Sequence, residues 1–198
     1  GALWQVTPQW SLGLAYNHGG DFSYQASNEV LGSNPLRRLD RNPSFKVPNV
    51  FSAGLAFRPS DAWLLSLDVN RIEYSRLSDG LVTIFDDTPG AQPQPLAFKD
   101  GTEIRFGAEY AFLEMSTPFF LRGGVWRDPD HSLQYDRSRP ANCNDFDACL
   151  AATLFRHGSD ETHYSLGVGW AFTKFELNLA VDMSDLVDTY SVSGKLQF

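Results

Sequence analysis

The sequence predicts an all-β chain, an antiparallel transmembrane β-barrel with about nine strands present, and three observations carry that expectation. Apolar and polar residues alternate with a period of two in nine separate runs, the signature of strands with unlike faces. Short and long connections alternate between those runs. Charged residues recur on the face that is not apolar, where a dry core would exclude them unless they were paired.

The first run, Gly1 to Val6, is joined to the second, Trp10 to Tyr16, by Thr7, Pro8 and Gln9 alone. In the second run Trp10, Leu12, Leu14 and Tyr16 alternate with Ser11, Gly13, Ala15 and Asn17. A long polar segment from about His18 to Val47 precedes Phe51, Ala53, Leu55 and Phe57, which a turn through Arg58 to Asp61 links to Trp63, Leu65, Leu67 and Val69. Asp79 to Asp100 is long again, and Pro89, Pro93 and Pro95 exclude a regular ladder there. Ile104, Phe106, Ala108, Tyr110 and Phe112 form the next strand, and a link through Glu114 to Thr117 leads to Phe119, Leu121, Gly123 and Val125. The longest connection, about Arg127 to Asp160, contains both cysteines. Three strands close the chain: Tyr164 to Phe172, Phe175 to Met183 and Tyr190 to Phe198, the last two joined by the short Ser184 to Asp188.

Two architectures fit such strands: a soluble sandwich, with its apolar face on a second sheet, and a membrane barrel, with its apolar face on lipid. Loops longer than ~12–15 residues are uncommon in compact soluble domains, whereas tight turns on one rim and long loops on the other are the layout of outer-membrane barrels. If the last strand runs toward the periplasm, the turns near Pro8, Pro59, Ser116 and Thr173 all fall on the periplasmic side and the long loops outside. Trp10, Phe57, Trp63, Phe112, Trp170, Phe172 and Phe198 then form an aromatic girdle at the inner interface. The lumen receives Asp68, Asn70, Glu103, Arg105, Glu109, Arg122, Glu176, Asp182 and Lys195, read as a polar ion-pair network more than a substrate site.

Composition narrows the function. A net charge of −8 with no basic stripe excludes nucleic acid as partner. No run approaches the ~18 apolar residues of a membrane helix, so any crossing is by strands. Cys143 and Cys149 lie close together in a polar segment and fit a small disulfide loop in an oxidising compartment. The chain opens on a strand pattern instead of a leader, so either a leader has been removed or the 198 residues are part of a longer chain. Among catalytic types, Asp86, Asp87, His131, His157, Asp185 and Asp188 scatter over several loops without diagnostic spacing, and GxSxG, HExxH, Walker A and GxGxxG are all missing. His18 and His163, near strand ends, read as interfacial or lumenal. Asp145, Asp147, Asp160 and Glu161 have the chemistry of a calcium site, but solvated loop carboxylates are the commoner arrangement, and no metal is expected.

The segment NVFSAGLAFRPSDAWLLSLDVNRIEYS resembles the repeated hairpin of the long-chain fatty acid and aromatic hydrocarbon transporters of the Gram-negative outer membrane. GALWQVTPQWSLGLAY resembles the hairpin before it, and TEIRFGAEYAF, HYSLGVGWAF and YSVSGKLQF resemble its later strands. The resemblance implies a fourteen-stranded barrel around an N-terminal hatch, of which residues 1–198 are the C-terminal nine strands as a single domain. It also implies passive uptake of a hydrophobic small molecule by a monomer with neither catalysis nor a cofactor, and Phe198 as the signal read by the barrel-assembly machinery. Gly19 to Val47 corresponds to one of two external loops that form a ligand groove. That loop offers Val30, Leu31, Leu36 and Leu39 beside Arg37 and Arg38, a set suited to an amphipathic carboxylate; the same arginines would equally be solvated or meet lipopolysaccharide phosphates. The other readings are a small structural or adhesin-type barrel and an outer-membrane hydrolase.

Overall fold

The computed structural model describes residues 1–30, 37–79, 95–136 and 145–196. In chain order its strands are β1 (Ala2–Gln5), β2 (Trp10–Asn17), β3 (Asp21–Ser23), β4 (Ala26–Val30), β5 (Arg37–Arg41), β6 (Ser44–Lys46), β7 (Val50–Ser60) and β8 (Trp63–Ile72). A 3-10 helix at Tyr74–Ser78 follows, then β9 (Leu96–Ala97), β10 (Gly101–Phe112), β11 (Phe119–Asp128), β12 (Gln134–Tyr135), the helix α1 (Phe146–Leu154), β13 (Glu161–Ala171), β14 (Phe175–Met183) and β15 (Thr189–Leu196).

Nine strands form one antiparallel sheet in the order β1-β2-β7-β8-β10-β11-β13-β14-β15, a meander without crossovers. Its register matches like with like: Leu12 faces Leu55, Phe106 faces both Leu67 and Val125, and Leu166 faces Val181. A slip by one residue would move every apolar side chain to the other face, so the two-residue period fixes the pairing. The apolar face is left open. Leu14, Leu121 and Leu166 are all about half exposed or more, and the buried apolar residues among those described are only Ile72, Ala111, Tyr135, Ala148 and Ala151. No second large sheet covers that face among the described residues, so the sandwich arrangement is not the one adopted.

Aromatic side chains run along the end of the sheet that carries the tight turns. Trp10 stacks on Phe57 at 4.2 Å, Trp63 meets Tyr110 at 4.9 Å, and Tyr110 meets Phe112 at 4.7 Å. Phe112, Phe119 and Trp170 continue the series at 5.6 and 5.3 Å, and Phe172 stacks on Phe175 at 4.3 Å. Phe198 lies outside the described residues.

The long connections hold more order than alternation predicts. Among the described residues these connections form three two-stranded ribbons, β3–β6, β4–β5 and β9–β12. Helix α1 begins at Asp145, whose carboxylate accepts from the Asp147 and Ala148 amides and so satisfies two donors of the first turn. Leu96, Tyr135, Leu150, Ala151, Ala152 and Phe155 give these loops a small apolar core of their own. Ion pairs join one loop to the next: Lys46 to Asp79 and Arg76 to Asp21, both at 3.0 Å. Strand β7 also runs past the expected turn to Ser60, with a register shift between Phe57 and Ser60. Pro59 has no N–H for the ladder, while the Arg58 amide donates to the Gln9 carbonyl in the turn between β1 and β2.

Gly19, buried at the base of the first long loop, packs its Cα against the backbone of Val47 and Pro48 so closely that a Cβ would collide with both. Its amide donates to Asn49 Oδ1 at 3.1 Å. Gly19→Ala is expected to cost about 1–3 kcal/mol through overpacking. Limited proteolysis should show faster cleavage within residues 18–49 while the sheet stays intact.

Candidate functional site

The polar face gathers its charges on β10, β11, β13 and β14, because alternation places every second residue of these strands there. Register sets Asp68, Arg105, Trp126 and His163 side by side across four strands, with Asn70, Glu103, Asp128 and Glu161 in the next row. Glu103, only 8% exposed, accepts from Arg105 Nε at 3.1 Å and Nη2 at 2.8 Å, and from Asn70 Nδ2 at 3.4 Å. The Arg105 guanidinium lies 4.2 Å from the centre of the Trp126 ring, a cation–π contact. From the other neighbouring strand His163 stacks on Trp126 at 3.9 Å. Asp182 binds both rings: Trp126 Nε1 donates to Oδ2 at 3.0 Å, and His163 Nδ1 is 2.6 Å from Oδ1.

A second cluster lies toward the tight turns. Arg122 Nε donates to Glu109 Oε2 at 2.6 Å, Nη2 is 3.6 Å from Glu176 Oε1, and Nη1 donates to Asn178 Oδ1. The guanidinium also sits 5.3 Å from the Phe120 ring. Between the clusters is a cavity of about 460 Å³. Gly107, Gly124, Ser165, Gly167 and Ala180 floor it, with Arg105, Trp126 and Asp182 at one end and Glu109 and Arg122 at the other. The floor depends on residues this small: a Cβ on Gly124 would come within 2.7 Å of Ser165 Oγ.

Of the polar residues expected on this face, Glu103, Arg105, Glu109, Arg122, Glu176 and Asp182 come together in the two clusters. Asp68 stands opposite Arg105 in the ladder, and Lys195 stands opposite Glu176 on the exposed edge strand β15. His163, read from the sequence as interfacial or lumenal, lies on this face and completes the first cluster with Trp126, the member that reading by residue type passes over. The strand pattern ends at Val125 if only apolar alternation is followed, one residue short of Trp126.

The expected loop groove is reached only in part. Leu31 and Leu36 lie outside the described residues, as do the side chains of Val30, Arg37 and Leu39, whose backbones belong to β4 and β5. Arg38 is exposed, with Nε donating to Asp40 at 2.9 Å, and Ser27 Oγ donates to the same carboxylate at 2.6 Å. The Ser27 hydroxyl and the Arg38 guanidinium together hold the Asp40 carboxyl below the ordinary aspartate range. Cys149 is disulfide-bonded, and Cys143 lies outside the described residues. Asp86 and Asp87 also lie outside them, while His157, Asp185 and Asp188 are exposed. Of the carboxylates with calcium chemistry, Asp145 caps α1, Asp160 binds the Asp130 amide and Arg127, and Glu161 faces His163 at 3.9 Å.

Above the sheet Tyr74 stacks on His131 at 4.9 Å, pinning the 3-10 helix to the segment after β11. Burial, then the nearby carboxylates of Asp128 and Glu103, push the Tyr74 hydroxyl up to about 12 from 10.0. A raised acid pKa means that the folded state favours the neutral phenol. The associated stability is present below pH 10 and lost as pH rises toward 12. Absorbance titration should show one tyrosine ionising about two units above the exposed ones, a step that Tyr74→Phe removes.

No family model and no curated protein matches the sequence. Among solved structures the chain is similar to one described as the CymD monoaromatic hydrocarbon channel, with a TM-score of 0.56 and 19% identity over 99% of this chain and 49% of that one. The chain thus spans about half the length of the structure it matches. The likeness shows the fold and nothing finer: the nine strands are the wall of an antiparallel transmembrane β-barrel.

Proposed function

We propose that this wall belongs to an outer-membrane barrel through which hydrophobic small molecules, such as long-chain fatty acids or aromatic hydrocarbons, pass inward without catalysis. The observation that supports the reading most directly is the two-sidedness of one sheet. One face is apolar and unburied, and the other is charged and carries a glycine-floored cavity. From Ile104 to Phe112, nine residues at ~3.3 Å each and tilted about 40° span roughly 23 Å, close to the ~25 Å apolar band of such barrels. The aromatic series at the tight-turn end fits an interfacial girdle, and the short turns beside it support a C-terminus on the periplasmic side with the long loops outside. Outer-membrane lipid and lipopolysaccharide then cover the apolar face and the loop bases. Phe198 addresses the assembly machinery, and five further strands with a hatch complete a fourteen-stranded monomer.

Passage of this kind is downhill diffusion along apolar sites, each weak enough to release the ligand onward, and it needs no cofactor. Uptake of radiolabelled fatty acid or toluene by cells with and without the full-length protein tests the reading. Leu36→Asp and Leu39→Asp should reduce uptake if the first long loop forms the landing groove. Uptake that does not depend on the protein would leave a structural or adhesive barrel in its place.

A further inference from the structure

We infer that the polar-face cavity selects neutral hydrophobic molecules over the corresponding carboxylates, with Glu109 and Glu176 setting that selectivity by neutralising Arg122. The inference rests on the uptake reading and chooses between its two ligand classes. A carboxylate leaving water is accepted only where a cation replaces its hydration. Both guanidiniums beside the cavity are already engaged: Arg105 gives two hydrogen bonds to Glu103, and Arg122 is held by Glu109, Glu176 and Asn178.

The balance around the cavity is also negative. Glu103, Glu109, Glu176 and Asp182 outnumber Arg105, Arg122 and Lys195, which stands opposite Glu176, and Asp68 and Glu161 border the same rows. Like charges at these separations repel more strongly beside low-dielectric walls than in water. A neutral hydrocarbon meets none of these costs. The Cα groups of Gly107, Gly124 and Gly167, the Ala180 methyl and Leu64 give it apolar contact that displaces no ion pair.

Toluene and benzoate share one ring and differ in charge, so they form the probe pair, in cells lacking general porins with and without the full-length protein. Protein-dependent toluene uptake should exceed benzoate uptake by about tenfold or more, an ordinary ratio for discrimination by an unpaired charge. Glu109→Gln and, separately, Glu176→Gln free part of the Arg122 guanidinium and should raise the benzoate-to-toluene ratio several-fold. Arg122→Gln should lower it further. Heat-modifiable gel migration identifies variants that have folded, and the two glutamate variants test the idea independently. Equal wild-type uptake of toluene and benzoate, or a ratio unmoved in the folded glutamate variants, overturns the selectivity and leaves hydrophobic uptake standing. No protein-dependent uptake of either compound overturns both.

Discussion

Leu166→Arg is expected to destabilise the folded protein in lipid vesicles by about 2–4 kcal/mol, the cost of a guanidinium near the middle of a barrel's lipid face. Leu166 is 56% exposed, sits at the centre of β13 and pairs with Gly123 and Val181. Ser193→Arg, on the opposite face of β15, should change stability by no more than about 0.5 kcal/mol, because that side chain meets a wet surface. Urea midpoints of the two variants in the same vesicles give the comparison. If Leu166→Arg is as harmless as Ser193→Arg, the apolar face is not in hydrocarbon and the membrane assignment falls.

Asp182→Ala should cost about 2–3 kcal/mol. The carboxylate is the shared acceptor of the Trp126 indole and the His163 ring, and partly buried hydrogen bonds to a charged group contribute about 1.5–3 kcal/mol each without adding fully. Asp182→Asn keeps one acceptor oxygen and should cost less than half as much. A double-mutant cycle between Asp182 and His163 should give a coupling above about 0.5 kcal/mol. A coupling of zero would mean that the stacked rings hold themselves in place and the carboxylate is incidental.

The sheet was legible because its evidence is repeated. Nine alternating runs, each bounded by a turn or a break in period, leave one register that keeps Leu12, Leu55, Leu67 and Phe106 on a single face. The loops were not, since β3, β9 and β12 are two or three residues long and have no period to detect. Helix α1 did leave a trace: Asp145 in a capping position before the alanine-rich run Ala148 to Ala152. For the site, residue type and parity locate Glu103, Arg105, Glu109, Arg122, Glu176 and Asp182 but not who touches whom. Arg122 reaches two strands in opposite directions, to Glu109 on β10 and Glu176 on β14. That reach depends on side-chain length across β13, where Gly167 and Gly169 leave room.

The meander also governs how the wall can be built. Each strand of the large sheet pairs only with the strand before and after it in that series, so no pairing waits on a distant part of the chain. Between β2 and β7 lie residues 18–49, 32 residues, against the 4 of residues 6–9 between β1 and β2. Closing the longer connection costs only about 1.8 kcal/mol more in chain entropy, since the penalty grows with the logarithm of length. The wall can therefore grow as a ribbon, each new strand templated on the free edge of the last. Connection length then sets the delay between additions and not whether they occur.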